Sequence, residues 1–271
     1  MIMAHRRLPQ HILQRLPAAW RTDLERVVAE PVARGMSGAK LWRLPAVSQI
    51  TGERYLKVAE GALAADLREE IARSRWLGAR GIRVPRVARV HEGPRLTAMI
   101  SDALDGVPAD EIDWPAERLL PLLGHALARV HALPVHGCPF DEGHAVRLAR
   151  ARAAVEQGSV DPAQFASRNR HVAPTRLLAR LQAAHPPKPD LVVVHGDASL
   201  SNLLVDGNGT VGFLDCGHVG RADRYVDLAV LAAEVVAHFG EGARRLLTRA
   251  YGLRRWNARK AAYYEDLYEF F

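Results

Sequence analysis

Two cysteines are all that this 271-residue chain contains. Cys138 and Cys216 stand in unrelated contexts, so neither a disulfide framework nor a zinc spacing can be drawn from them, and a reducing cytoplasm is the expected setting. Long apolar runs are missing as well. In the C-terminal half the run Leu228–Ala233 ends at Glu234, far short of the roughly 20 residues that cross a bilayer. The basic start MIMAHRRLPQH leads into no apolar stretch, which argues against a secretory signal. There is no repeat and no low-complexity linker. The formal charge is +7, yet no groove-reading motif accompanies it, so no nucleic-acid partner is expected. The arginines of 146–152 and 243–249 fall among alanines and leucines, the pattern of solvated helix faces. No membrane partner is expected either, and a monomer is the default, with a dimer as the alternative.

What is present is an ordinary soluble balance, 48% hydrophobic and 25% charged, in a chain long enough for one large domain or two packed lobes. Residues 31–60 read as strands and turns, with RYLKVAE (54–60) alternating as a strand. Residues 63–79 read as a helix and 82–100 as further strands. The segment 101–106, with Asp105-Gly106, reads as a hinge. Helices are expected at 116–132, 144–157, 161–166 and 174–184, the last stopped by the proline-rich stretch 185–189. LVVVHGD is a short buried strand entering a loop. NLLV and VGFLD form a hairpin over Asp206-Gly207-Asn208-Gly209, and 223–271 is helical. The expected class is α+β, with a small β-rich N-terminal lobe (1–103) and a larger, mainly helical C-terminal lobe (104–271).

The most informative segment is HGDASLSNLLVDGNGTVGFLDCG, residues 195–217. Phosphoryl transfer needs a carboxylate to take the acceptor's proton and hard oxygen ligands for magnesium on the phosphates. Asp197 follows an apolar strand and is presented on a loop. Asn202 opens the next strand in this reading, and Asp215 ends its partner, so the hairpin brings 202 and 215 together. The order matches the kinase pattern H-x-D-x-x-x-x-N followed by D-x-G. Asp197 is therefore the candidate base, Asn202 and Asp215 are the candidate magnesium ligands, and His195 shapes the loop. Upstream, Lys57 sits mid-strand ahead of a helix carrying Glu69 and Glu70. Lys57 is assigned to the nucleotide phosphates, with Glu70 as its partner. GMSGAK (35–40) reads as a shortened phosphate loop through Ser37 and Gly38. Adenine is expected against the hinge backbone at Ser101 and Ala103. ATP and Mg²⁺ are the implied cofactors, on a protein-kinase-like bilobal fold.

GMSGAKLWRL, YLKVAE, CPFDE, VVVHGDASLSNLLV, GFLDCG, VGRADRYVDLA and the terminal EFF together resemble the aminoglycoside 3′-phosphotransferases. The resemblance covers essentially the whole chain. It implies ATP-dependent phosphorylation of an aminoglycoside hydroxyl, most simply the 3′-hydroxyl, and antibiotic resistance. It also implies that carboxylates meet the antibiotic's ammonium groups, here Glu269 and the C-terminal Phe271, with Glu234 and His218 at further acceptor positions. Some positions depart from the family pattern. His218 replaces an arginine, Ala233-Glu234 stands for an arginine–acid pair, and Tyr268 replaces an aspartate. The loop FASRNRH (165–171) has two arginines and no carboxylate, and reads as a basic cover over a polycation's site. A kinase of another small hydroxylated metabolite is the alternative. A catalytically silent nucleotide-binding protein would need a lost residue, and Asp197, Asn202, Asp215 and Lys57 are all in place.

Overall fold

A computed structural model describes residues 6–32, 38–46, 52–184 and 188–271. Its contacts divide the chain into two compact units, Met1–Asp105 and Gly106–Phe271.

The N-terminal unit is built on β1 (Arg6–Arg7), α1 (Gln10–Leu13), α2 (Ala18–Leu24), β2 (Val28–Val32), β3 (Lys40–Leu44), β4 (Arg54–Glu60), α3 (Leu63–Gly78), β5 (Val87–Glu92) and β6 (Leu96–Asp102). The strands form one antiparallel sheet in the order β1-β2-β3-β4-β6-β5. Strand alternation sends successive residues to opposite faces. Leu56 and Val58 of β4, with Ala98 and Ile100 of β6, join the core made with Ile12, Leu16, Trp20 and Leu24. Ala59 and Met99 point the other way and pack with Leu67 and Ile71 of α3. Lys57 shares the parity of Ala59, so it faces α3. The two short proline-led helices α1 and α2 have no counterpart in the sequence reading; Pro9 and Pro17 start them.

The C-terminal unit comprises β7 (Val107–Pro108), α4 (Ala116–His131), α5 (His144–Glu156), α6 (Pro174–Ala183), β8 (Leu191–Val194), β9 (Leu203–Val205), β10 (Val211–Phe213), β11 (Gly220–Asp223), α7 (Tyr225–Phe239), α8 (Ala243–Tyr251) and α9 (Ala258–Tyr268). Two small sheets, β10-β9-β7 and β11-β8, carry the connections. Helices α4 and α8 pack closely at Gly124, where a Cβ would lie 2.7 Å from the Leu247 carbonyl oxygen. The expected helix at 161–166 is only a 3₁₀ turn, Pro162–Gln164. Asp161 caps it through Ala163 N–H, and Phe165 is already extended, so one turn is all that forms. The helical stretch after 223 is three helices, interrupted at Gly240 and Gly252, both at positive φ. Cys138 and Cys216 are both buried. Among the described residues no helix is long and apolar enough to cross a membrane.

Candidate active site

The apolar strand β8 pairs with β11 and then delivers the chain into the loop that starts at His195. That loop is fastened by its backbone. The N–H groups of His195 and Gly196 each donate to the Asp227 carboxylate at 2.7 Å. Arg147, itself buried, donates to the Gly196 carbonyl at 3.1 Å. Asp227 lies in the first turn of α7 with no exposed surface. It also takes the Nε2 of His131 at 2.9 Å, and His131 Nδ1 meets the Tyr251 hydroxyl at 2.8 Å. Burial alone would raise the Asp227 pKa. The His131 hydrogen bond, the charges of His131 and His195, and the Gly196 N–H outweigh it and hold the carboxyl below its usual value. Gly196 stands at φ +87°, and a Cβ there would sit 2.0 Å from the His218 carbonyl oxygen. Only glycine fits.

Fixed in this way, the loop presents Asp197, which is half-buried. Its Oδ2 accepts the Asn202 side-chain amide at 2.8 Å, and the same amide reaches the Asp197 carbonyl at 3.0 Å. Its Oδ1 accepts the Tyr268 hydroxyl at 2.6 Å. Asn202 does not open a strand as expected. It closes the 3₁₀ turn Leu200–Asn202, and β9 begins one residue later. The hairpin pairs Leu203 with Phe213, and Leu214 N–H donates to the Asn202 carbonyl at 2.9 Å. Asp206 closes the hairpin turn by accepting the N–H groups of Asn208 and Thr210, both at 2.9 Å. Asp215 follows directly. It alone among the described non-glycine residues has positive φ, at 48°, a conformation that costs an L-residue about 1–2 kcal/mol. His195 lends its Nε2 to the Leu214 carbonyl at 2.8 Å, which ties the loop to the hairpin.

In the N-terminal unit, Lys57 is buried in β4 and its ammonium meets both Glu70 oxygens, at 2.9 and 2.7 Å. Glu69 pairs instead with Arg73, one helical turn on, at 2.7 Å. Lys57 is thus a held residue in an interior strand, not a solvated one. Gly38 is exposed at φ +68°, while Ser37 lies outside the described residues. The hinge backbone is partly committed. Ser101 is paired in the sheet with Tyr55 on one side and Val87 on the other. Ala103 N–H already donates to the Glu53 carbonyl at 2.9 Å, so in this conformation that N–H is not offered to adenine.

The remaining candidates surround Asp197 within the C-terminal unit. Glu234 accepts the Leu200 N–H at 2.5 Å. Burial lifts its pKa to about 7; the Leu200 bond opposes the rise, and the charges of Asp197 and Asp110 add to it. It borders a cavity of about 340 Å³ lined by Asp110, Leu200, Ser201, Ala237 and His238. Glu269 is not a free anion. Its oxygens accept Ala166 N–H at 3.1 and 3.0 Å and the Asn169 amide at 2.9 Å. His218 touches the Phe271 ring edge-on, with 5.8 Å between centroids, and the Arg147 guanidinium lies 4.4 Å from the centre of the same ring. Where the family pattern has an arginine at 218, this chain brings Arg150 to His218 Nδ1 at 3.2 Å and to the buried Glu142 at 2.5 Å.

The basic loop is also corrected. Arg168 pairs with Glu265 at 2.7 Å and with Asp266 at 3.0 Å, and Arg180 reaches Asp266 at 2.8 Å. Glu265 and Asp266 of α9 thus pair with Arg168 and hold the loop to that helix, while Arg170 stays exposed. Two positions of the candidate site escape a local reading. Asp227 is the clamp of the loop, and its signal was only the D-L-A that follows VGRADRYV. Tyr268 reads in the sequence as a departure before Glu269, and in the structure it sits on the candidate base.

The family model of the phosphotransferase enzyme family matches residues 28–264. An aminoglycoside 3′-phosphotransferase of Streptomyces fradiae is 35% identical over 254 residues, covering 89% of this chain and 94% of that protein. A streptomycin 3″-kinase of Streptomyces griseus is 35% identical over 212 residues, covering 74% and 75%. Among solved structures, an aminoglycoside 3′-phosphotransferase of type VIII superposes with a TM-score of 0.83 at 34% identity, over 93% of this chain and 97% of the other. An aminoglycoside phosphotransferase of Streptomyces rimosus, solved with ADP and streptomycin, gives 0.79 at 29% identity, over 93% and 95%. The fold, the sequence and these likenesses agree: the chain belongs to the phosphotransferase enzyme family, among the aminoglycoside phosphotransferases of protein-kinase-like fold.

Proposed function

We propose that this chain moves the γ-phosphoryl group of ATP onto a hydroxyl of an aminoglycoside, in the cytoplasm, and so confers resistance to the antibiotic. The observation that carries this is the Asp197 carboxylate, presented on a loop whose two N–H groups are clamped by Asp227. A base held this way is aimed before substrate arrives, which is what in-line transfer requires. Asp197 takes the acceptor proton as the hydroxyl oxygen attacks phosphorus.

The donor set suits magnesium. Asn202 and Asp215 offer amide and carboxylate oxygens from the open end of one hairpin. Among the described residues no cluster of three His, Cys, Asp or Glu forms a ready metal cage, and magnesium is typically held by one or two protein oxygens beside substrate phosphates and water. When bound, the ion neutralises charge on the transferred group. The Asn202 amide nitrogen remains on Asp197, so the residue that would hold the ion also orients the base. Lys57, aligned by Glu70, is assigned to the α- and β-phosphates, and Ser37 and Gly38 to the phosphate loop. The adenine edge is left the hinge carbonyls near Ser101 and Ala103. On the acceptor side we assign Glu234 to an ammonium group, His218 and Phe271 to the wall of the site, and Glu269 to holding the loop that borders it.

The 3′-hydroxyl is the leading position, supported by the 3′-phosphotransferase relatives. The streptomycin 3″-kinase relative favours 3″ as the second. ATP consumption across kanamycin-like, streptomycin-like and non-aminoglycoside acceptors tests the reading, with phosphorus and proton NMR of the product fixing the position. No turnover with any aminoglycoside would overturn it.

A further inference from the structure

The Asp197 carboxylate has two donors on it. Asn202 occupies Oδ2 at 2.8 Å, and Tyr268 occupies Oδ1 at 2.6 Å, a normal length for a hydroxyl donating to a carboxylate. A hydroxyl donating to the base is also the arrangement an acceptor alcohol must adopt. We propose that Tyr268 stands in the acceptor's place on Asp197, keeping the base from water until the hydroxyl of a bound acceptor displaces the phenol. Tyr268 is then a residue that determines nucleophile selectivity. This rests on the phosphotransferase reading with Asp197 as base.

The surroundings make the phenol a persistent occupant. It ends α9, whose Tyr264 and Leu267 are buried. The next residue, Glu269, is tied to Ala166 and Asn169. Phe271 lies against His218 and Arg147. The ring therefore loses little further freedom by staying on Asp197. Burial, then the Asp197 charge and the hydrogen bond itself, push the phenol's pKa far up, so it remains a donor. A water molecule that replaced it would bring a hydrogen bond to Asp197 but no contacts along the rest of the acceptor's site. A polyhydroxylated, polyammonium acceptor brings further contacts with the same site and can afford the exchange. In the unwanted reaction, water's oxygen bonds to the γ-phosphorus, the bond from that phosphorus to the β,γ-bridging oxygen breaks, and the water proton goes to Asp197, giving ADP and phosphate.

The test compares the native chain with Tyr268→Phe, which keeps the ring and removes the hydroxyl, at a temperature below both thermal midpoints. Without acceptor, Tyr268→Phe should hydrolyse ATP about tenfold faster, the factor expected for a freed hydrogen bond to a charged group. With acceptor, its KM should fall by a similar factor while kcat stays close to native. Adding Asp197→Asn to Tyr268→Phe should abolish the extra hydrolysis. Unchanged hydrolysis and KM would overturn the proposal. So would a lower kcat at unchanged KM, because Tyr268 would then be a donor that transfer needs, and so would extra hydrolysis that survives loss of Asp197. If the native chain phosphorylates no aminoglycoside, the phosphotransferase reading falls first and takes this inference with it. If it does phosphorylate one and Tyr268→Phe behaves like native, only this inference falls.

Discussion

Asp197 and Gly196 are neighbours with different demands. As the proposed base, Asp197 must be aimed; Gly196 must simply lack a side chain. Asp197→Asn keeps the shape and the Asn202 contact but removes the proposed proton acceptor. Turnover should fall by about 10²–10⁴-fold, the usual worth of a general base. ATP binding, read by calorimetry, should persist. Near-native turnover would show that another group takes the proton. Gly196→Ala introduces a Cβ 2.0 Å from a backbone oxygen at φ +87°. Positive φ and steric overlap together should cost about 3 kcal/mol or more, visible as a lower urea midpoint with lost activity. A variant of native stability would mean that the loop has room the structure does not give it.

At the scale of elements, the α4–α8 contact depends on Gly124. Glycine costs a helix interior about 1 kcal/mol relative to alanine, yet here it lets the two helices approach until a Cβ would meet the Leu247 carbonyl at 2.7 Å. Gly124→Val should destabilise by about 1–3 kcal/mol through overpacking, with circular dichroism melts as the measure; an unchanged melt would argue for a looser crossing. The same scale explains what was legible in the sequence. The hairpin around Asp206–Gly209 is closed by neighbours a few residues away, and the 195–197 loop is announced by the apolar strand that leads into it, so both could be read. So could the partnership of Lys57 and Glu70, a strand followed by its own helix. The clamp by Asp227 acts on residues 31 and 32 positions away. Tyr268 meets Asp197 across 71 positions, and Arg168 meets Asp266 across 98. Such contacts depend on how helices pack, and no local periodicity records them. The missing helix at 161–166 has the reverse cause: the composition suits a helix, while the Asp161 cap and extended Phe165 confine it to one turn.

For the whole molecule, two carboxyls of α7 respond to pH with opposite signs. Glu234 has its folded-state pKa raised from 4.5 to about 7. The folded chain holds that proton more tightly than the unfolded chain, so stability declines as pH rises from about 4.5 to 7. Glu234→Gln removes this penalty and can still accept the Leu200 N–H. The melting temperature of the variant relative to native should therefore increase between pH 5 and pH 8, and a pH-independent difference would count against a half-buried Glu234 that holds its proton. Asp227 has the opposite sign. Its pKa is held below 3.8, so its contribution is present above that pH and lost as pH falls further. There is also a consequence for how such a protein changes over generations. The clamp on the 195–197 loop is drawn from α4, α7 and Arg147, and α7 also carries Glu234, while Tyr268 of α9 reaches Asp197 itself. The 165–171 loop stands apart: its ties run to Glu265, Asp266 and Glu269 and not to the clamp. If that loop borders the acceptor as proposed, a lineage can drift toward a new antibiotic most freely there, while changes in α7 or at Tyr268 disturb the base as well.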